Sequence, residues 1–194
     1  MRHWVLLLSI ACLAACETNS LQRPDQYYSL VLANNTQRAK LAAPVRHWTL
    51  VPIRLPEYLK GQNIALQTAP NRIEAARRHF WAEPLDEGIA KVLVADIERL
   101  LEDVAIEREA GRWTPVLACR LRVEFAAFHA THGGQVEASG RYWLAAGETI
   151  TRQQFDESAP LAADGYAHAV DALRTLLDVL AAQIAAALEG VACD

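Results

Sequence analysis

The chain lacks the signatures by which most enzymes reveal their chemistry. Its 194 residues hold no Gly-x-Ser-x-Gly elbow, phosphate-binding glycine loop, dinucleotide fingerprint or His-Glu-x-x-His pair. The common hydrolase, nucleotide-binding and zinc-protease sites are therefore not encoded. Excess positive charge is missing too: 19 Lys and Arg stand against 23 Asp and Glu, a formal net charge of −4. No helix pattern carries a basic stripe, so there is no electrostatic footprint for nucleic acid. Among the histidines only His129 and His132 form a close pair. Three apart on a strand they would face opposite ways, and beside Gly133-Gly134 they read as turn residues rather than metal ligands. Neither a metal site nor a catalytic set is expected, and no internal repeat stands out.

Long apolar runs are also scarce. The N-terminal run Trp4-Val5-Leu6-Leu7-Leu8-Ser9-Ile10-Ala11-Cys12 follows a basic start, Met1-Arg2-His3. It falls short of the ~20 residues that span a bilayer. A positive flank, a short apolar core and small residues before a cut site describe a secretory signal. Here the small residues end on a cysteine, Leu13-Ala14-Ala15-Cys16, which resembles the lipobox of bacterial lipoproteins. In such proteins the thiol receives a diacylglyceryl group and becomes the new N-terminus after cleavage. Small side chains at Ala14 and Ala15 let the peptidase approach the backbone. As pure structure, the same run would read as a buried or membrane helix. The expectation is a signal peptide at 1–15, lipidation at Cys16 (N-acyl and S-diacylglycerol) and a polar tether over 16–26. No other cofactor is expected.

Under that reading the four cysteines divide by role. Cys12 leaves with the signal and Cys16 carries lipid. Cys119 and Cys193 remain, in a compartment where disulfides persist. They are either bridged, stapling the C-terminus to a strand, or two separate thiols.

Periodicity organises residues 27–194 as one α+β domain. Strands are expected at 27–32, 45–51 and 62–68, with a fourth at 72–80 whose alanines would also suit a helix. Pro84 suits a first helical position, with Asp86 and Glu87 complementing the positive helix end. Leu85, Ile89, Val92, Leu93, Leu100 and Leu101 then recur at helical spacing to about Asp103. Gly111 and Pro115 mark a connection. The strongest strand pattern is 116–125, with Leu117, Cys119, Leu121, Val123 and Phe125 on one face and Arg120, Arg122 and Glu124 on the other. His132-Gly133-Gly134 supplies a hairpin turn to 136–144, and 149–155 follows as a third antiparallel strand. Asp164 is the expected N-cap of a last helix running to Glu189, where Gly190 stops it. The fold class is thus a mostly antiparallel sheet with two main helices packed on one face. The other face must be solvated, covered by a loop or covered by another protein.

Remaining polar clusters have modest readings. Asp164 and His168 are one helical turn apart and suit a surface hydrogen bond. Glu83, Asp86 and Glu87 suit the helix dipole. Arg77-Arg78-His79 forms either a solvated face or a contact with anionic headgroups. Trp81 and Trp113 sit at element boundaries, where an indole packs while its N–H stays wet.

Taken in order, the lipobox, Tyr27-Tyr28-Ser29-Leu30, Val51-Pro52-Ile53-Arg54-Leu55-Pro56-Glu57-Tyr58-Leu59 and Trp81-Ala82-Glu83-Pro84-Leu85 resemble the PqiC/YmbA family. These are auxiliary lipoproteins of ABC-type or MCE-type lipid transport systems, and the resemblance covers nearly the whole chain. It implies a non-enzymatic lipoprotein on the periplasmic face of the outer membrane. It also implies an MCE-domain partner that bridges the envelope, and a homo-oligomeric ring as one arrangement of copies. Glu17 follows Cys16, in place of the aspartate that commonly retains lipoproteins in the inner membrane, so outward sorting is favoured. A lipid-binding module, with an acyl chain between helices and sheet, is the second reading. A periplasmic hydrolase is the third, with no residues to support it.

Overall fold

The computed structural model describes residues 24–30, 44–109 and 119–193. The lipobox and Cys16, the loop expected at 34–43, Trp113 and the expected strand start at 116–118 lie outside the described residues. The elements run β1 Gln26–Tyr28, β2 Arg46–Leu50, a 3₁₀ turn Glu57–Leu59, β3 Asn63–Ala69 and β4 Arg72–Trp81. Helix α1 Leu85–Leu100, β5 Val104–Arg108, β6 Cys119–Ala130, β7 Gln135–Ala146, β8 Thr149–Pro160 and helix α2 Tyr166–Glu189 follow.

β6 is the spine of the sheet, which has eight strands among the described residues. One edge pairs along its whole length with β7, which pairs in turn with β8, both antiparallel. The other edge is shared. β2 joins it in parallel at Thr49↔Arg120 and Leu50↔Leu121, Arg54 bridges to Glu124, and β3 touches it at Leu66↔Ala130. β5 extends the sheet beyond β2 in parallel, while β4 and then β1 extend it beyond β3. The architecture is α+β, and the long ladders are antiparallel. The short strands join in parallel, so the sheet is mixed. Short parallel partners survive here because their residues are covered: Trp48 and Leu50 of β2 and Val104 and Ile106 of β5 are all buried.

Several local expectations change. Residues 104–108 form β5 rather than a connection: Val104 and Ile106 are buried and pair with Arg46 and Trp48, while Ala105 between them is half-buried and Glu107 exposed. α1 ends at Leu100, which is exposed; Ile97 completes its buried stripe. Gln26, placed at the end of the tether, already pairs with His79. The ambiguous segment 72–80 is strand, because its pairing with β3 and β1 outweighs the helical preference of its alanines. β6 continues to Ala130 because the register slips between Phe125 and Ala127. That slip returns Phe128 and Ala130 to the buried face occupied by Leu121, Val123 and Phe125.

α2 lies over β6, β7 and β8, and α1 packs between α2 and β5. The α2 residues Leu173, Leu177, Leu180, Ile184 and Leu188 are essentially inaccessible to solvent. Asp164 does not cap this helix: Gly165, with φ 124°, occupies the N-cap and no side chain caps it. Between the helices lies a buried ion pair that the sequence reading missed. Arg174 of α2 reaches Asp96 of α1 at 2.7 Å and Asp178 at 2.7 Å, and the Asp96 side chain is wholly buried. Arg174 interrupts the apolar stripe between Val170 and Leu177, the one visible hint of an internal partner.

Removing Arg174 takes from the wholly buried Asp96 its 2.7 Å partner and leaves Arg99 at 3.4 Å, a loss of up to about 3–5 kcal/mol. Arg174→Met should therefore lower unfolding free energy by about that amount in urea titration. The double variant Arg174→Met with Asp96→Leu should recover most of the loss, since no lone charge is left buried.

Candidate functional site

The C-terminal end of α2 is fixed to the sheet by two ties, a disulfide and an arginine. Cys119, at the start of β6, and Cys193 form a disulfide with Cα atoms 6.0 Å apart. Arg46 of β2 donates from Nε to the Asp103 carboxylate at 2.7 Å and from Nη1 to the carbonyls of Leu188 at 2.6 Å and Val191 at 3.1 Å. A guanidinium on the last carbonyls of a helix satisfies acceptors that have no intrahelical partner. The hydrogen bond from Arg46 Nε to Asp103, followed by the Arg46 charge, outweighs burial and holds the Asp103 carboxyl below its ordinary value.

At the other end of α2 the packing opens. A cleft of about 370 Å³ lies between β3, the β6–β7 turn and the first turns of α2, walled by Ile64, Leu66, Ala130, Leu161, Tyr166 and Leu173. His132 and Asp164 reach its lining. Tyr166 stacks on His79 with ring centres 3.8 Å apart, and His79 Nδ1 lies 2.9 Å from the Tyr28 hydroxyl. The N-terminal strand therefore borders this end of the molecule. Burial, and secondarily Tyr166, raises the Tyr28 phenol.

The remaining sequence candidates separate. His129 is not a turn residue. It lies buried in β6, its Nε2 3.1 Å from Glu137 and its ring 5.8 Å from Tyr58. His132 alone belongs to the turn. Tyr58, in the 3₁₀ turn, leans on this sheet face, and burial followed by the Glu137 charge pushes its phenol up to about 12. Arg78 pairs with Asp25 at 3.2 Å and His79 is engaged as above, so these two members of the Arg77-Arg78-His79 run serve separate contacts. Glu83 pairs with Lys91, and Glu87 with Arg108 at 2.7 Å. Trp81 is buried, paired with Tyr28 at the end of β1. Among the described residues no group of three or more His, Cys, Asp or Glu could hold a metal ion. No described helix is long and apolar enough to cross a membrane.

The sequence model of a family described as the ABC-type transport auxiliary lipoprotein component matches residues 28–185. The chain belongs to this family. Curated relatives include the intermembrane transport lipoprotein PqiC of Escherichia coli (strain K12), 24% identical over 187 residues that cover 95% of this chain and 96% of that protein. The protein of the same name from Shigella flexneri matches to the same extent. A crystal structure of an uncharacterized protein superposes with a TM-score of 0.73 at 25% identity, covering 85% of this chain and 99% of that one. A Xanthomonas campestris protein superposes at 0.63 with 12% identity, over 82% and 92% of the two chains, and shows the shared fold. The family match takes in every described element except Gln26 and Tyr27 of β1 and the last residues of α2.

Within this family member, the sheet face turned away from the helices carries a cluster around Glu124. Arg122 Nη2 donates to Glu124 Oε1 at 2.5 Å, Arg141 Nε to Oε2 at 3.2 Å, and Arg54 lies 3.4 Å away. Burial alone would raise this carboxyl. The hydrogen bonds and charges of Arg122 and Arg141 outweigh it and hold the group below the ordinary glutamate value of 4.5. A carboxyl with a depressed folded value stabilises the fold above its unfolded pKa, and loses that contribution as pH falls through the folded value. Melting temperature should thus fall with acidification below pH 4.5. Glu124→Gln should melt lower at neutral pH and show a shallower acid decline, both read by thermal denaturation across pH.

Proposed function

We propose that this chain is an outer-membrane-anchored periplasmic lipoprotein subunit of an MCE/ABC-type lipid transport system, docking the transport tunnel and supporting membrane integrity. Membership of the auxiliary lipoprotein family over residues 28–185 carries this reading. In it, residues 1–15 are removed and the acyl chains on Cys16 hold the domain at the inner leaflet, each buried CH₂ contributing ~0.8 kcal/mol. The tether keeps the domain close, since an extended chain advances about 3.3 Å per residue. Glu17 directs the lipoprotein outward. The domain then serves as a protein fitting for an MCE-domain partner, as a single copy or as a ring of copies.

Two measurements test it. Mass spectrometry of the mature protein should find an N-terminal Cys16 bearing diacylglycerol and an N-acyl chain, in the outer-membrane fraction. Pull-down from membranes should recover an MCE-domain protein. A free start in a cytosolic fraction, or a clean lipoprotein with no such partner and unchanged outer-membrane permeability on deletion, would overturn the proposal.

The apolar cleft under Tyr166 favours a second reading, in which the domain shelters an acyl chain. Its size and apolar walls suit such a guest. Native mass spectrometry of protein taken from membranes should then show a bound phospholipid. Leu161→Arg, a change at a half-buried wall residue, should remove that adduct without altering the melting temperature. Unladen wild-type protein would end this reading.

A further inference from the structure

The chain is net acidic, yet the sheet face opposite the helices gathers arginines. Arg122, Trp143 and Arg152 lie in one cross-strand row of β6, β7 and β8; Glu124, Arg141 and Gln154 form the next. The guanidinium carbons of Arg122, Arg141 and Arg152 stand 5.3, 5.2 and 5.9 Å from the centre of the Trp143 indole. Three cations therefore surround one ring, each drawn by its electron-rich face. Arg54, Arg122 and Arg141 share the single carboxylate of Glu124. Arg120 is matched separately by Glu109 at 2.9 Å. Arg152 has no carboxylate partner among the described residues; its contact is the indole. Ile150, on the same face of the edge strand, is 69% exposed.

Tryptophan, arginine and an exposed aliphatic residue on one sheet face match the composition of a protein-interface centre. The surroundings separate a protein from a lipid surface. A polar groove beside Arg141 is lined by Glu124, Ser139, Gln154 and Asp156, and Gly140 lets β7 lie close against β6 there, since a Cβ would stand 2.1 Å from the Glu124 carbonyl. Glu124 is matched by its arginines, but Asp156 places a further carboxylate in the groove that a layer made of phosphates alone cannot pair with. A protein can instead offer donors to Asp156 and carboxylates to the arginines, which guanidinium forks bind in two-point fashion.

We infer that the sheet face centred on Trp143 is a docking surface for an acidic segment of a protein partner, whose carboxylates pair with Arg152, Arg141 and Arg122. The inference rests on the docking reading for the existence of that partner. It adds which face is used and the charge of what it meets.

A photo-cross-linking residue placed at Ile150 of the full lipidated chain tests the face in intact cells, with the same residue at Val179 on the exposed side of α2 as control. Recovery of the MCE-domain protein with the unmodified chain is scored in parallel. The expected result is an adduct from Ile150 alone, identified by mass spectrometry as an acidic peptide of the MCE-domain protein. Arg152→Glu should cut co-purified partner at least tenfold with an unchanged melting temperature, and Arg152→Lys should retain most of it. Raised salt should weaken the wild-type complex, as expected for charge pairs at a surface. Partner recovered as before but cross-linked only from Val179 would overturn the face and leave docking intact. An Ile150 adduct to lipid or to a second copy of the chain would overturn the acidic partner. No adduct and no recovered partner would overturn both.

Discussion

The burial of one apolar stripe on α2 decides the layout of the whole domain. Leu173, Leu177, Leu180, Ile184 and Leu188 have almost no exposed surface. At roughly 1.5–3 kcal/mol for each fully buried side chain, these five contribute on the order of 10 kcal/mol before entropy is counted. That is comparable to the whole net stability of a typical domain, about 5–15 kcal/mol. Only one side of the β6–β7–β8 meander can receive the stripe, the side bearing Val123, Tyr142 and Leu144. Strand alternation then forces Arg122, Glu124, Arg141 and Trp143 to the opposite side. The charged face follows from where the leucines go.

Fixing α2 takes more than apolar contact, because a helix can slide along a greasy surface at small cost. Polar and covalent ties set its position here. Arg174 joins it to Asp96 on α1, Arg46 holds its last carbonyls, and Cys193 is bonded to β6. The disulfide spans a sequence separation of 74 residues, and closing a loop of that size reduces unfolded-state entropy by about 4 kcal/mol in the chain-entropy account. These ties gather at the middle and the C-terminal end of α2. The N-terminal end, begun by an uncapped Gly165, is where the apolar cleft opens. The fixed end and the open end are thus the two ends of the same helix.

Elements with strong periodicity were readable in advance. The α2 stripe, the alternation of Cys119, Leu121, Val123 and Phe125, and the hairpin at Gly133-Gly134 each rest on local spacing that burial then rewards. β5 was not readable, because five residues with two apolar positions look like a connection until Arg46 and Trp48 lie beside them. The continuation of β6 past Phe125 was hidden as well, since the register slip breaks the alternation that marks a strand. His129 looked like part of a turn because it stands close to Gly133-Gly134. Asp164 had the chemistry of a cap, but the positive φ of Gly165 places that glycine at the helix start.

By itself the sequence determined the class of the protein: a lipobox-like leader, a strands-and-helices order, a family resemblance carried by short motifs, and alternating arginines on one strand. These are local properties, written in neighbouring residues. Tertiary structure decided what those arginines surround, that Arg174 and Asp96 meet, and that a cleft remains beneath Tyr166. Each depends on residues far apart in the chain, 78 positions in the case of Arg174 and Asp96. No spacing rule reaches across such a separation; only the burial of α2 on the sheet brings them together.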